Sequence, residues 1–132
     1  MIEARFGLKA RPFDKNIQSR DLYPWPGLEE LDARLEMSKR SRGIMLLTGE
    51  PGTGKTVALR RFVDRLNAEH YLPTYLPLAT VTVLDAYAQL NRALGGQEIR
   101  SKSLLFREIQ HGVAQLAAQG KQPVLILDEA DL

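Results

Sequence analysis

Apolar residues in this chain follow two alternating patterns: short unbroken runs, and stripes spaced three and four residues apart. Gly43-Ile-Met-Leu-Leu-Thr48 and Val124-Leu-Ile-Leu127 are the runs, and each reads as a fully buried strand. Leu59, Phe62, Val63 and Leu66 recur at i, i+3, i+4 and i+7, the stripe of an amphipathic helix over about 55–69. Leu28, Leu31 and Leu35 mark a helix from 27 to about 41. Lys39, Arg40 and Arg42 complement the dipole at its end, and Gly43 closes it. Thr82 and Asp85 form a capping-box pair that opens a helix to about 94, stopped by Gly95-Gly96. Ser101 or Ser103 opens another, with Leu105, Ile109, Val113 and Leu116 on its buried face and Gly120 at its end. A short strand over 74–78 lies between Pro73 and Pro77, which puts it at or near a sheet edge. The last strand is 123–128. Strands alternating with helices predict an α/β domain with a parallel sheet covered by helices.

Residues 1–26 lack either period and are punctuated by Pro12, Pro24 and Pro26. Phe6, Leu8 and Phe13 stand in a basic background of Arg5, Lys9, Arg11 and Lys15. A free tail would carry fewer aromatics, so this segment reads as an N-terminal arm lying on the domain. The organisation expected is therefore an arm, 1–26, and a domain, 27–132.

Composition changes this picture little. A chain of 132 residues with 44% apolar content suits one domain with a real core. Charged residues are 26% and the net charge is +2, so there is no gross signature of a nucleic-acid binder. The lack of cysteine excludes disulfides and thiolate metal sites, and it fits a reducing cytoplasm. His70 and His111 have no ligand spacing and read as surface residues, His70 at the end of the 55–69 helix. No apolar run approaches the ~18 residues of a membrane span, and the N-terminus has no secretory apolar region.

The chemistry is concentrated between the first run and the helix that follows it. Residues 49–56 read Gly-Glu-Pro-Gly-Thr-Gly-Lys-Thr, the pattern of a phosphate-binding loop. Gly49, Gly52 and Gly54 let the backbone turn tightly and expose successive N–H groups. The helix starting near Lys55 aims its positive end at the same point. Lys55 is placed to reach the β- and γ-phosphates of ATP, and the Thr56 hydroxyl to ligate Mg²⁺. Glu50, Pro51 and Thr53 complete the loop, with Val57 just beyond it, and Pro51 stiffens the turn. Asp128 ends the second run, where a carboxylate is the Walker B element that holds Mg²⁺. Glu129, the next residue, is the candidate base that polarises the attacking water. A ligand-free glycine turn and a solvated strand end are the bland alternatives for the two motifs. Their occurrence together, in this order, favours the functional reading.

With these residues in place, the chain resembles the P-loop ATPases that carry a catalytic glutamate. Within them it is similar to the AAA+ branch that holds bacterial transposition helpers and secretion-pathway ATPases of the general secretion A type. The resemblance rests on Phe6-Gly7-Leu8 with Pro12-Phe13, on Leu22-Tyr23, on the stretch from Gly43 to Thr56, and on Leu125 to Leu132. It implies an AAA+-type P-loop NTPase fold, a parallel sheet with flanking helices. It also implies hydrolysis of ATP with Mg²⁺, a homo-oligomer whose neighbouring subunit supplies an arginine finger, and a cytoplasmic location. DNA and a transposase are the partners implied first; envelope secretion machinery, or a non-catalytic nucleotide-binding role, is the alternative. Family members continue past Walker B with a sensor strand, which lies between the P-loop strand and the Walker B strand. The chain thus reads as a partial domain, truncated after the Walker B strand and poorly active by itself. The runs at 44–48 and 124–128 are then not expected to pair in the family's way, and self-association is expected.

Two smaller features are ambiguous on sequence. Tyr23 and Trp25 read either as an adenine platform or as anchors of the arm. Arg60 and Arg61 read as a solvated helix face or as DNA contacts.

Overall fold

The computed structural model describes residues 2–14, 17–77 and 82–129. The chain forms two compact units, Met1–Asp64 and Arg65–Leu132.

The first unit is helical. A short helix α1, Ile2–Phe6, opens the arm, which the sequence pattern had left irregular. A single 3-10 turn, Ser19–Asp21, packs on the later helix α3, and the Ser19 hydroxyl donates to the Asp64 carboxylate at the end of that helix. This turn lies on its unit, whereas Phe6 and Phe13 of the same segment are exposed. Helix α2, Leu28–Ser41, buries Leu28 and Leu35. It ends with Arg42 in the left-handed region at φ 50°, one residue before the expected glycine stop.

Helix α3, Lys55–Asp64, buries Ala58 and Phe62 and packs on α2. It is shorter than its apolar stripe predicts. Asn67 ends the helical course by accepting N–H bonds from His70 and Tyr71 on its carbonyl and from Glu69 on its side chain. His70 thus sits in this turn, and the expectation that it ends the P-loop helix is corrected.

Arg61 on α3 reaches Asp32 on α2, with Nε 3.2 Å from Oδ2 and both side chains mostly covered. The contact is charge to charge, because Nε has no aligned hydrogen-bond acceptor. Arg61 is therefore not a solvated face but a tie between two helices.

The second unit is a parallel two-stranded sheet with two helices. Strand β1, Tyr71–Pro77, pairs with β2, Gln122–Asp128, with Tyr75 opposite Ile126 and Pro77 opposite Asp128. The ladder opens with the Gln122 N–H donating to the His70 carbonyl. Even-numbered residues of β1 therefore face β2, and Pro73 and Pro77 turn their missing N–H groups to the outer edge. That is where proline is tolerated. Residue 78 of the expected strand lies outside the described residues.

Helices α4, Val83–Ala93, and α5, Lys102–Ala118, connect the strands and pack on each other, α4 against β1 and α5 against β2. The capping box forms as read: Thr82 accepts the Asp85 N–H and Asp85 accepts the Thr82 N–H. Gly95 and Gly120 take the left-handed positions that close the two helices. On α5 only Leu105 is fully buried, while Val113 is 37% exposed.

The expected strand at 44–48 does not form. Residues 44–50 have no regular structure, and the sheet among the described residues has the order β1-β2 alone. Ile44 and Leu46 are 104% and 77% exposed, so this run is not buried. A strand exists only through its ladder, and this run joins no ladder among the described residues.

Candidate functional site: the glycine loop and the strand-end carboxylates

The loop 49–56 turns at Gly52 and Gly54, with φ of 79° and 90°. These values are open to glycine and strained for other residues. The Lys55 ammonium curls back and donates to the carbonyls of Gly49, at 2.6 Å, and Glu50, at 2.9 Å. Thr53 closes the same ring, its hydroxyl donating to the Glu50 carbonyl at 2.7 Å. Two side chains thus hold the loop carbonyls inward on one cation. The first ladder bond of α3 runs from the Ala58 N–H to the Gly54 carbonyl at 2.9 Å. The N–H groups of Lys55, Thr56 and Val57 come before it and have no acceptor within the helix. Together with the dipole of α3 they make the start of this helix an anion site in form.

The arm reaches this loop. A Cβ on Gly54 would lie 3.1 Å from Cζ2 of Trp25, so the indole edge rests on the glycine. Anchoring of the arm therefore describes Trp25, and its anchor point is the phosphate loop itself. Tyr23 is 82% exposed. No signal in the sequence links Trp25 to Gly54.

The carboxylates belong to the second unit. Asp128 closes β2. Its Oδ2 accepts the Tyr75 hydroxyl, and its Oδ1 accepts the Glu129 N–H at 2.9 Å. Tyr75 was missed on sequence. It lies opposite Ile126, two residues before Asp128 on the same edge, and only a correct strand register reveals the pair. Glu129 has φ 55°, a left-handed conformation that a glutamate adopts at a cost. It is exposed. Residues 130–132, also used in the sequence reading, lie outside the described residues.

Each of these two groups of residues, taken in its own unit, is of the types that suit a magnesium nucleotide. Among the described residues no cluster of three or more His, Cys, Asp or Glu could hold a metal by itself. Mg²⁺ needs none, since it is held by one or two protein oxygens together with phosphate oxygens and water. Thr56 in the first unit and Asp128 in the second are each a residue with an oxygen of that kind. No helix of the described residues is long and apolar enough to cross a membrane.

Over 129 residues the chain is 34% identical to General secretion pathway protein A of Aeromonas hydrophila, covering 95% of this chain and 23% of that protein. The chain thus spans about a quarter of the length of this curated relative. No solved structure matches. Residues 38–132 match the family described as AAA domain, a span that holds the glycine loop, both strands and Asp128-Glu129. The α/β fold with its parallel strands and flanking helices is that of a P-loop NTPase, and the chain belongs to the AAA domain family.

Proposed function

We propose that the loop 49–56 binds the phosphates of ATP, and that residues 27–132 are the nucleotide-binding domain of an ATPase with 1–26 as its arm. The observation that carries the proposal is the Lys55 clasp on the Gly49 and Glu50 carbonyls, which rounds the loop at the start of α3. Gly49, Gly52, Gly54 and the amides through Val57 surround the phosphates, with Glu50, Pro51 and Thr53 forming the outer turn. Lys55 meets the β- and γ-phosphates. Thr56 and Asp128 hold Mg²⁺, and Tyr75 fixes the Asp128 carboxylate for that role. Held there, Mg²⁺ would supply neutralisation of phosphate charge.

Glu129 orients a water toward the γ-phosphorus. The new bond forms from that water oxygen as Glu129 takes its proton, the bond to the β–γ bridging oxygen breaks, and ADP and phosphate leave. An arginine from a neighbouring subunit of a homo-oligomer completes the charge balance. A module fuelled by ATP works in the cytoplasm, where ATP is supplied.

The similarity to a general secretion pathway protein favours work on secretion machinery as the physiological role. DNA and a transposase are supported only by the resemblance of the motifs.

Titration of labelled ATP with Mg²⁺ against the parent protein and Lys55→Ala tests the site. Binding by the parent with a loss of at least about tenfold in the variant is expected, a difference of ~1.4 kcal/mol. Equal binding by both proteins would remove the assignment.

A further inference from the structure

The second unit carries an open trough that the nucleotide chemistry does not use. It lies between α4 and the first turns of α5, has a volume of about 830 Å³, and is lined by Tyr87, Lys102, Ser103, Phe106, Arg107 and Gln110 among others. Its floor is aromatic. Leu105 is the residue that α5 buries in the fold, so Phe106, one position on and 51% exposed, is an apolar ring that folding does not bury. The same two helices expose Val83, Leu84 and Leu104. Phe106 and Tyr87 give the trough an aromatic lining beside polar and cationic side chains.

The electrostatics of the trough have one sign. Lys102 and Arg107 line it, and none of its lining residues is acidic. Neither cation joins an ion pair among the described residues. The first turn of α5 holds no acidic residue, whereas those of α2 and α4 do, and Ser101 makes no side-chain capping bond. The positive end of α5 is therefore left uncompensated beside the two cations.

Shape and charge together select the occupant. The trough is too open to enclose a small ligand, which requires most of its surface to be covered. Two cations do not make the basic track that a nucleic-acid backbone needs, and the net charge of +2 supplies no larger field. An aromatic floor under a cationic rim is complementary to a peptide segment with an apolar anchor between carboxylates. We propose that the trough between α4 and the start of α5 docks an acidic segment of a partner protein, seating a phenylalanine or leucine against Tyr87 and Phe106 while Lys102 and Arg107 meet its carboxylates. This proposal is independent of the nucleotide reading.

Fluorescence anisotropy on the intact chain tests it. The probe is a fluorescein-labelled synthetic peptide with one phenylalanine flanked by glutamates. Its controls are the same peptide with alanine for phenylalanine, the same peptide with lysines for glutamates, and a labelled single-stranded oligonucleotide. The glutamate–phenylalanine peptide is expected to bind, more weakly as salt rises. The paired substitutions Lys102→Glu and Arg107→Glu, both exposed and safe for folding, should weaken it by about tenfold or more. Phe106→Ala should weaken it similarly, and so should loss of the peptide's phenylalanine. Failure of the peptide to bind overturns the proposal. So does indifference to the charge reversal, equal binding of the lysine peptide, preferential binding of the oligonucleotide, or occupation of the trough by a second copy of the chain.

Discussion

The edge of the Trp25 indole lies against Gly54, where a Cβ would meet Cζ2 at 3.1 Å and Cη2 at 3.3 Å. The same glycine has φ +90°, so a side chain is excluded twice, by the ring and by the backbone. The arm and the phosphate loop are in this way built around one missing atom. Gly54→Ala should destabilise the first unit by about 1–3 kcal/mol, the usual cost of a strained backbone position. Trp25 is the chain's single tryptophan, so its emission reports this contact directly. Thermal unfolding followed by that emission should begin at a lower temperature in the variant, with an altered native spectrum. Superimposable spectra and melting curves would contradict the contact.

A second glycine in the other unit is constrained by packing alone. Asn91 is 2% exposed, and its Nδ2 donates to the Gln97 carbonyl at 2.7 Å. A Cβ on Gly96 would fall 2.1 Å from the Asn91 Oδ1. That oxygen has no hydrogen-bond partner, so close approach of the bare glycine excludes other groups from it. Gly96→Ala must displace a buried amide and is expected to cost about 1–3 kcal/mol. Gly95 next to it has φ +81° but open space around it, so Gly95→Ala meets only the left-handed penalty of ~1–2 kcal/mol. Urea unfolding of both variants should rank Gly96→Ala as the more destabilised. The opposite ranking would mean that Asn91 yields easily.

What the sequence revealed and what it hid divide along the range of the forces involved. The Thr82–Asp85 cap and the stops at Gly95 and Gly120 depend on neighbours within one turn, and each is legible from a few residues; the start of α5 was open between Ser101 and Ser103, and Ser101, which makes no side-chain capping bond, takes it. The glycine loop is legible for the same reason. Its turn and its Lys55 clasp involve only residues 49–58. Contacts set by tertiary packing were hidden: Trp25 on Gly54, Tyr75 on Asp128, and Arg61 with Asp32. The run at 44–48 failed as a strand because apolar content records a tendency to be buried, whereas strand formation needs a partner edge. Leu66 fits the stripe of α3, yet the turn held by Asn67 ended the helix before reaching it.

The cap of α4 gives a pH dependence. Hydrogen bonds from the Thr82 hydroxyl, and then from its N–H, hold the Asp85 carboxyl below its ordinary value of 3.8. The folded state therefore favours the ionised form. The contribution to stability is complete above the unfolded value, fades as pH falls below it, and is gone once pH passes the lower folded value. Asp85→Asn should remove this acid-limb component while leaving stability near neutrality less affected than Thr82→Ala does. Denaturant unfolding at a series of pH values from 2 to 7 measures it. An acid limb unchanged by Asp85→Asn would show that the cap does not titrate with folding.

The outer edge of β2 bears on association. Because the Gln122 N–H faces β1, the odd residues Leu125 and Leu127 turn their backbone groups away from the ladder. Neither finds a backbone partner among the described residues, and their side chains are 45% and 47% exposed. The run at 44–48 adds the bare side chains of Ile44 and Leu46. An open apolar edge of this kind is a template for another strand, and a lysine placed on it is a common device for blocking such pairing. The isolated chain should therefore self-associate as its concentration rises. Leu127→Lys should shift that association to concentrations about tenfold higher, equivalent to ~1.4 kcal/mol. Size-exclusion chromatography with light scattering over a dilution series decides the matter. A cooperatively melting monomer at every concentration would mean that the edge of β2 is covered in solution.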